Sequence, residues 1–300
     1  MSRRNRRDFF CIFFSVENLF ELLPLSISAL LKDGVCELRL RTGRPLYAYD
    51  GAEWFFVGDG GKRYVASQAD LDYVLGKASG YSMYAVTDNL VKGYIPWRGG
   101  IRIGVAGEGV TEGDRLHTLK NVSSLTIRVP REVRGAADKV IRRVLVKRDF
   151  KNTLIISPTS AGKTTMLREL ARLTSDAGLN VVIIDERFEL SAPFKGLPTL
   201  DVGACTDIVA GVPKLTAYEN IIRSMNPDVI ITDEIYGEAE VEAVLDAIRA
   251  GVKVGASLHA SDVCDLKGSV YEKLADAMEV LVILTKQTRA GEIKRITVKC

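Results

Sequence analysis

The sequence predicts an α/β chain, a domain built on a largely parallel sheet preceded by a smaller α+β domain. Three observations carry this reading. From residue 152 onward, short runs rich in Val and Ile ("NTLIIS", "NVVIID", "DVIITDE", "VKVGASLH", "EVLVILT", "IKRITV") are separated by loops and helical stretches such as "EAEVEAVLDAIRAG". Runs that are apolar throughout, rather than alternating, belong to a parallel sheet covered on both faces. The first run leads into "SPTSAGKTT", residues 157–165, which nearly spells a glycine-rich phosphate loop opening a helix. Ahead of residue 130 the apolar period is instead two, with an Asp-Gly turn.

Residues 1–14, "MSRRNRRDFFCIFF", read as a basic-apolar extension. The apolar run is about half the length of a signal-peptide core. A packed arm or frayed tail is the plain reading, and contact with anionic lipid is the alternative. Residues 15–130 read as the α+β domain. Val16, Leu19, Phe20, Leu23 and Leu30 recur near the helical period, with a break at Pro24. "CELRLRTGRPLYAYDGAEWFFV" then alternates, turns at Asp50-Gly51 and returns as a strand, leaving Arg39 and Arg41 on one face. "SQADLDYVLGKASG" reads as a helix capped by Ser67. "VKGYIPWRGGIRIGVAGEGV" reads as a second sheet segment with tight turns. A strand, Pro130 and a basic amphipathic helix near 135–147 follow, and residues 131–300 read as the parallel-sheet domain, its last two strands a hairpin around "RAGE".

Composition limits the function. The 300 residues are 47% hydrophobic and 26% charged with net charge +3, which gives no support for general polyanion binding. Five scattered Cys and two His make a zinc cluster improbable and fit a reducing cytoplasm. No run is long enough to cross a bilayer.

A phosphate loop needs converging backbone N–H groups, a helix N-terminus facing the anion, and a cation. Ser157, Pro158, Thr159, Ser160, Ala161, Gly162, Lys163, Thr164 and Thr165 form the candidate nucleotide-binding loop. Gly162 gives close backbone approach, Lys163 the ammonium and Thr164 a hydroxyl for Mg²⁺. Ser157 stands where the first glycine belongs, a position whose backbone conformation costs other residues about 1 kcal/mol. It is expected to weaken the loop, unless Pro158 reshapes the turn.

Acids end two of the strands. "PDVIITDE" closes on Asp233 and Glu234, expected to lie beside the phosphate loop and to hold Mg²⁺. "VVIIDERFEL" supplies Asp185, Glu186 and Glu189, among which spacing does not choose a water-orienting acid, and pairing with Arg187 is the structural reading of each. His259 in "VGASLHA" is either structural or a γ-phosphate sensor. Arg223 in "NIIRSMNPD" is a further candidate.

In this order, the loop, "IIDERFEL", "IIRSMNPDVIITDEI" and "GASLHA" resemble the motor domain of type II/type IV secretion ATPases. Together with "LRLRTGRPL", "YAVTDNLVKGYI", "GGIRIGVAG", "SSLTIRVPREVRGAADKVI", "TDIVAGVPK" and "AGVKVGASLHA", the chain more closely resembles the stage III sporulation protein AA family of endospore-forming bacteria, over about residues 35–260. The resemblance implies a RecA-like P-loop motor using ATP and Mg²⁺. It implies a cytoplasmic homo-oligomer, a hexameric ring, working with membrane protein components of a channel between mother cell and forespore. By the resemblance, Lys163 and Thr164 bind phosphate and Mg²⁺, Glu234 completes the Mg²⁺ box and Glu189 orients water. Three departures stand out: Ser157 in the loop, Cys205 where the family usually carries Arg, and Tyr236 where it often carries Gly. With that Arg absent, Arg223 and the hairpin's Arg39 and Arg41 become candidate sources of a catalytic cation. Nucleic acid is not expected as a partner. The rival readings are a nucleic-acid-binding ATPase of the same core, using Arg39, Arg41, Arg44, Arg142 and Arg143, and a nucleotide-binding scaffold with little turnover.

Overall fold

A computed structural model describes residues 17–82, 86–91, 93–113, 115–130, 133–286 and 291–299. The expected extension, residues 1–14, lies outside them. The chain divides into two compact units, residues 1–132 and 133–300.

The first unit is helical over 17–22, stops at Pro24 and resumes for one turn at Leu25–Ser28. Proline's missing N–H and ring explain the break. Trp97 anchors this segment by donating its indole N–H to the carbonyl of Asn18 at 3.0 Å. Six strands form one antiparallel sheet: β1 Glu37–Arg41, β2 Tyr47–Tyr49, β3 Trp54–Phe56, β4 Tyr94–Pro96, β5 Arg102–Glu112 and β6 Arg115–Arg128, in the order β3-β2-β1-β6-β5-β4. The second sheet segment lies in the same sheet as the hairpin, because the 14-residue β6 pairs with β1 on one side and β5 on the other. Leu38, Leu40 and Ala48 point into the core. The opposite face carries Tyr47 stacked on Trp54 at 4.9 Å, with the Arg39 guanidinium 4.8 Å over Trp54 and paired with Glu37 at 2.7 Å. Helix α1, Gln68–Ser79, begins in a reciprocal Ser67–Asp70 capping box and ends at Gly80 in the left-handed conformation.

The main sheet of the second unit has seven strands: β7 Thr153–Ser157, β8 Val181–Asp185, β9 Thr206–Ala210, β10 Val229–Glu234, β11 Lys253–His259, β12 Val280–Thr285 and β13 Glu292–Val298. Their order is β9-β8-β10-β11-β7-β12-β13, parallel except for the antiparallel terminal pair β12–β13. The basic helix is α2, Asp138–Val144, and is followed by α3 Lys163–Asp176, α4 Lys214–Ser224, α5 Gly237–Arg249 and α6 Val270–Ala277. Ile155, Ile183, Ile231 and Val282 pack with residues of α2 and α3 in one apolar cluster. Leu154, Ile156, Val182, Ile184 and Ile230 pack with residues of α4, α5 and α6 in another. Burial on both faces is why these strands are apolar without alternation. Among the described residues, no helix is long and apolar enough to cross a membrane.

The acid-bearing β10 is not a ladder neighbour of β7, the strand that leads into the candidate phosphate loop. Strand β7 has its two ladder edges taken by β11 and β12, so β11 separates it from β10.

Gly255, in the middle of β11, makes that close packing possible. A Cβ there would lie 2.5 Å from Ile231 Cδ1 and 3.3 Å from Phe150 Cζ. Gly255→Ala should lower stability by about 1–3 kcal/mol through overpacking. Urea unfolding reads this as a lower midpoint at unchanged slope, and an unchanged midpoint would mean that Ile231 swings aside without cost.

Candidate functional site

In a parallel sheet all strands end on the same edge, so residues closing β7, β8, β10 and β11 meet there. The loop 158–162 joins β7 to α3. Gly162 precedes α3 at φ +94°, a conformation glycine adopts without steric cost, and Ser160 takes φ +60°. The 14-residue α3 thus starts at the loop, its first-turn N–H groups free of intrahelical partners. Lys163 turns back and donates from Nζ to the carbonyl of Ser157 at 3.2 Å. Burial pulls this ammonium below the usual lysine range, while Glu234 opposes the shift. Thr164 and Thr165 are half-buried in the first turn of α3, and Ala161 is buried beneath the loop.

The strain expected at Ser157 is absent. Ser157 closes β7 in ladder register with His259, is fully buried, and donates its hydroxyl to the carbonyl of Pro158 at 3.0 Å. The left-handed positions of the loop are Ser160 and Gly162, so the serine costs the backbone nothing at 157. His259, exposed at the end of β11, brings Nε2 within 2.6 Å of Thr159 Oγ1.

The acids divide by role. Asp185 is a buried loop clasp. Its carboxylate accepts from the backbone N–H of Glu189 (2.7 Å), Leu190 (3.1 Å) and Ser191 (2.8 Å) and from the Ser191 hydroxyl (2.6 Å). Backbone donors hold it, where pairing with Arg187 had been the structural expectation. That clasp fixes the backbone of Glu189, whose carbonyl also accepts from Arg168 at 2.7 Å. Glu189 itself is exposed, and Glu186 is 3.8 Å from Lys214. Asp233 is buried with Oδ1 3.3 Å from Lys214 Nζ, a contact that lacks hydrogen-bond geometry. Burial pushes the Asp233 carboxyl up to about 6, the ammonium of Lys214 pulls it down, and repulsion from Asp185 and Glu189 raises it further. The hydroxyls of Tyr218 and Thr232 are likewise buried without a hydrogen-bond partner.

Lys214 is the residue that sequence reasoning missed. It is 4% exposed, at the first position of α4 after Pro213. A signal was present: a lysine at a helix N-terminus opposes the helix dipole, so an acidic partner was to be sought. Conversely, Arg223 is not brought to the site. It is exposed in the last turn of α4, and nine residues of helix place it about 13 Å from Lys214 along the axis. Cys205 immediately precedes β9, at the amino ends of the strands and so on the opposite edge from the phosphate loop.

Residues 17–299 match the family model described as sporulation stage III, protein AA. Stage III sporulation protein AA of Bacillus subtilis (strain 168) is 34% identical over 263 residues, spanning 84% of this chain and 84% of that protein. Among solved structures, the Legionella pneumophila ATPase DotB superposes with a TM-score of 0.52 at 16% identity, over 83% of this chain and 72% of that one. The pilus retraction motor PilT with bound ADP gives 0.56 at 16% identity, over 86% and 75%. At these identities the likeness is one of fold.

Asp233 makes stability depend on pH. An acid whose pKa is higher folded than unfolded leaves stability intact below its unfolded value near 3.9, and stability falls as the pH rises through the folded value of about 6. Relative to Asp233→Asn, the wild type should lose about 2–3 kcal/mol between about pH 4 and about pH 7. Urea midpoints of both proteins across that range check it, and a constant difference would mean that the carboxyl is not shifted.

Proposed function

The chain belongs to the sporulation stage III, protein AA family, and on that premise we propose that it is an ATP-hydrolysing motor. The observation that carries the proposal is the convergence, on one sheet edge, of a helix-opening phosphate loop, two strand-end acids and a histidine. In this reading the loop from Ser157 to Thr165 wraps the polyphosphate, and Lys163 exchanges the Ser157 carbonyl for phosphate oxygen.

The hard oxygen donors fit Mg²⁺, which when bound would offset the charge of the phosphates. Thr164, Asp233 and Glu234 would hold it, and the Oδ1 of Asp233, ion-paired with Lys214 but without a hydrogen bond, could accept one from a hydrated cation. Among the described residues no group of three or more His, Cys, Asp or Glu forms a metal cage. Glu189 orients the attacking water and accepts its proton, with Glu186 the rival for that role. His259 reports the outer phosphate to the loop through Thr159.

Charge developing on the transferred group calls for another cation. Arg223 and position 205 lie away from the loop, so the cation comes from a neighbouring subunit in a homo-oligomeric ring, of six by the resemblance. Arg41 is a better source than Arg39, which Glu37 and Trp54 already engage. The ring works at the cytoplasmic face of a membrane complex, driving assembly of, or transport through, a sporulation channel. One observation favours a second reading. The ladder of Tyr47, Trp54 and Phe56 on the outer sheet face, with Arg63 4.0 Å over Phe56, is the kind of surface that stacks single-stranded nucleic acid.

Lys163→Ala should weaken ATP binding at least about tenfold, through loss of a charge-assisted contact of about 1.5–3 kcal/mol. Glu189→Gln should keep ATP affinity, slow turnover at least about 100-fold and trap a ring visible by light scattering. Calorimetry with unchanged affinity in the first variant would refute the loop. Loss of turnover in Glu186→Gln but not in Glu189→Gln would move the base to Glu186. Single-stranded DNA should not stimulate the wild type, and stimulation would favour the second reading.

Since Ser157 bears no backbone strain, Ser157→Gly should leave ATP affinity within about threefold. A larger tightening would mean that the serine side chain obstructs the nucleotide.

A further inference from the structure

The strand tip that carries the paired acids is held by its own sheet only through an irregular ladder. The β10–β11 ladder runs in register to Ile231↔Gly255 and resumes at Glu234↔Ser257, with a shift between them. Such an irregularity beside an active site re-aims side chains at the cost of regular pairing. Asp233 lies inside it.

Lys214 reaches this irregular tip from the start of α4. Its Nζ donates to the backbone carbonyl of Glu234 and to Glu240 Oε2 at 3.2 Å, and lies 3.3 Å from Asp233 and 3.8 Å from Glu186. Glu240 in turn accepts from the backbone N–H of Tyr236 at 2.8 Å. One ammonium thus brackets residues 233–236 and ties the ends of β8 and β10 to the start of α5. The placement is unfavourable on two counts. A buried lysine gives up its hydration, and a cation at a helix start opposes the dipole. An apolar residue would fill the same space without either penalty, but would leave three carboxylates facing one another.

We propose that Lys214 is a positioning residue for the phosphate chemistry: it fixes the Asp233 carboxylate and the Glu234 backbone where a hydrated divalent cation on the nucleotide meets them. The proposal rests on the reading of the site as a Mg²⁺-nucleotide site. It separates two functions that the loop and the acids otherwise share. Metal-free nucleotide binding belongs to the phosphate loop, and the gain that Mg²⁺ adds belongs to the segment that Lys214 holds.

The test uses the full chain as wild type, Lys214→Met and Lys214→Met/Glu240→Gln. The second substitution removes a carboxylate that the first leaves unpaired, so the double variant can fold where the single one does not. Calorimetry measures ADP binding in EDTA and in excess Mg²⁺, and steady-state assays give kcat and KM. In a folded variant, ADP affinity in EDTA should stay within about threefold of wild type. The tightening by Mg²⁺ should be lost, and kcat should fall about 100-fold, as for a misplaced catalytic group. Lys214→Arg, which keeps the charge, should recover part of the Mg²⁺ effect. A folded variant with wild-type Mg²⁺ tightening overturns the proposal, as does a recovery of Mg²⁺ tightening in the double variant over the single. Failure of both variants to fold assigns Lys214 to the fold alone. A wild type without turnover defeats the ATPase reading while the Mg²⁺ dependence of ADP binding still tests Lys214, and a wild type insensitive to Mg²⁺ overturns the inference itself.

Discussion

The parallel ladder between β7 and β11 is the constraint on which the site depends. Its register sets Ser157 opposite His259, and the same hydrogen-bond direction sends both strands to one edge. Everything chemical follows from that edge. The loop after β7 can reach Thr159 to His259, and the strand on the far side of β11 can present Asp233 toward Lys214. Reversing one strand would carry its terminal acid to the opposite side of the sheet. Burial on both faces makes such a reversal costly, because the apolar clusters above and below the sheet come from alternate residues of the same strands.

Charge is handled differently at the two ends of this edge. At the loop, a half-buried lysine is satisfied by a backbone carbonyl. At the acids, a fully enclosed lysine is surrounded by carboxylates. The carboxylate of Asp185 is met by three backbone N–H groups and a hydroxyl, yet its charge still raises the Asp233 carboxyl. The site therefore contains one acid held by backbone donors, one that burial makes reluctant to ionise, and others half-buried or at the surface. A graded set of this kind comes from environment, since the side chains themselves differ little.

What could be read from the sequence was what local patterns encode. Apolar runs without alternation identified the parallel strands, and a helix opening at Lys163 followed from "GKTT" after such a run. The capping box at Ser67 was equally local. What could not be read was strand order, because neighbours in a parallel sheet are distant in sequence. That is why β11 was not placed between β7 and β10. Strand β9 and helix α4 were passed over: "TDIVA" is half-buried at the sheet edge, with a weaker apolar signature than its neighbours. Missing α4 meant missing Lys214, and it left Arg223 credited with a reach that the helix axis denies it. Ser157 was judged by analogy with a glycine, while its actual backbone is that of an ordinary strand residue.

The hydrogen bond from Lys163 to the carbonyl of Ser157 closes the loop on itself. A loop whose cation already has an acceptor is stable as a preformed shape, and it is also a selective one. A small anion offering one or two oxygens gains little by displacing the carbonyl, because one contact is exchanged for another. A chain of phosphates, long enough to engage the α3 N-terminus and the ammonium together, gains contacts beyond the exchange. Under the proposed reading, the self-closed lysine would thus act as a filter on ligand length, favouring a chain of phosphates over orthophosphate before any base or sugar is recognised.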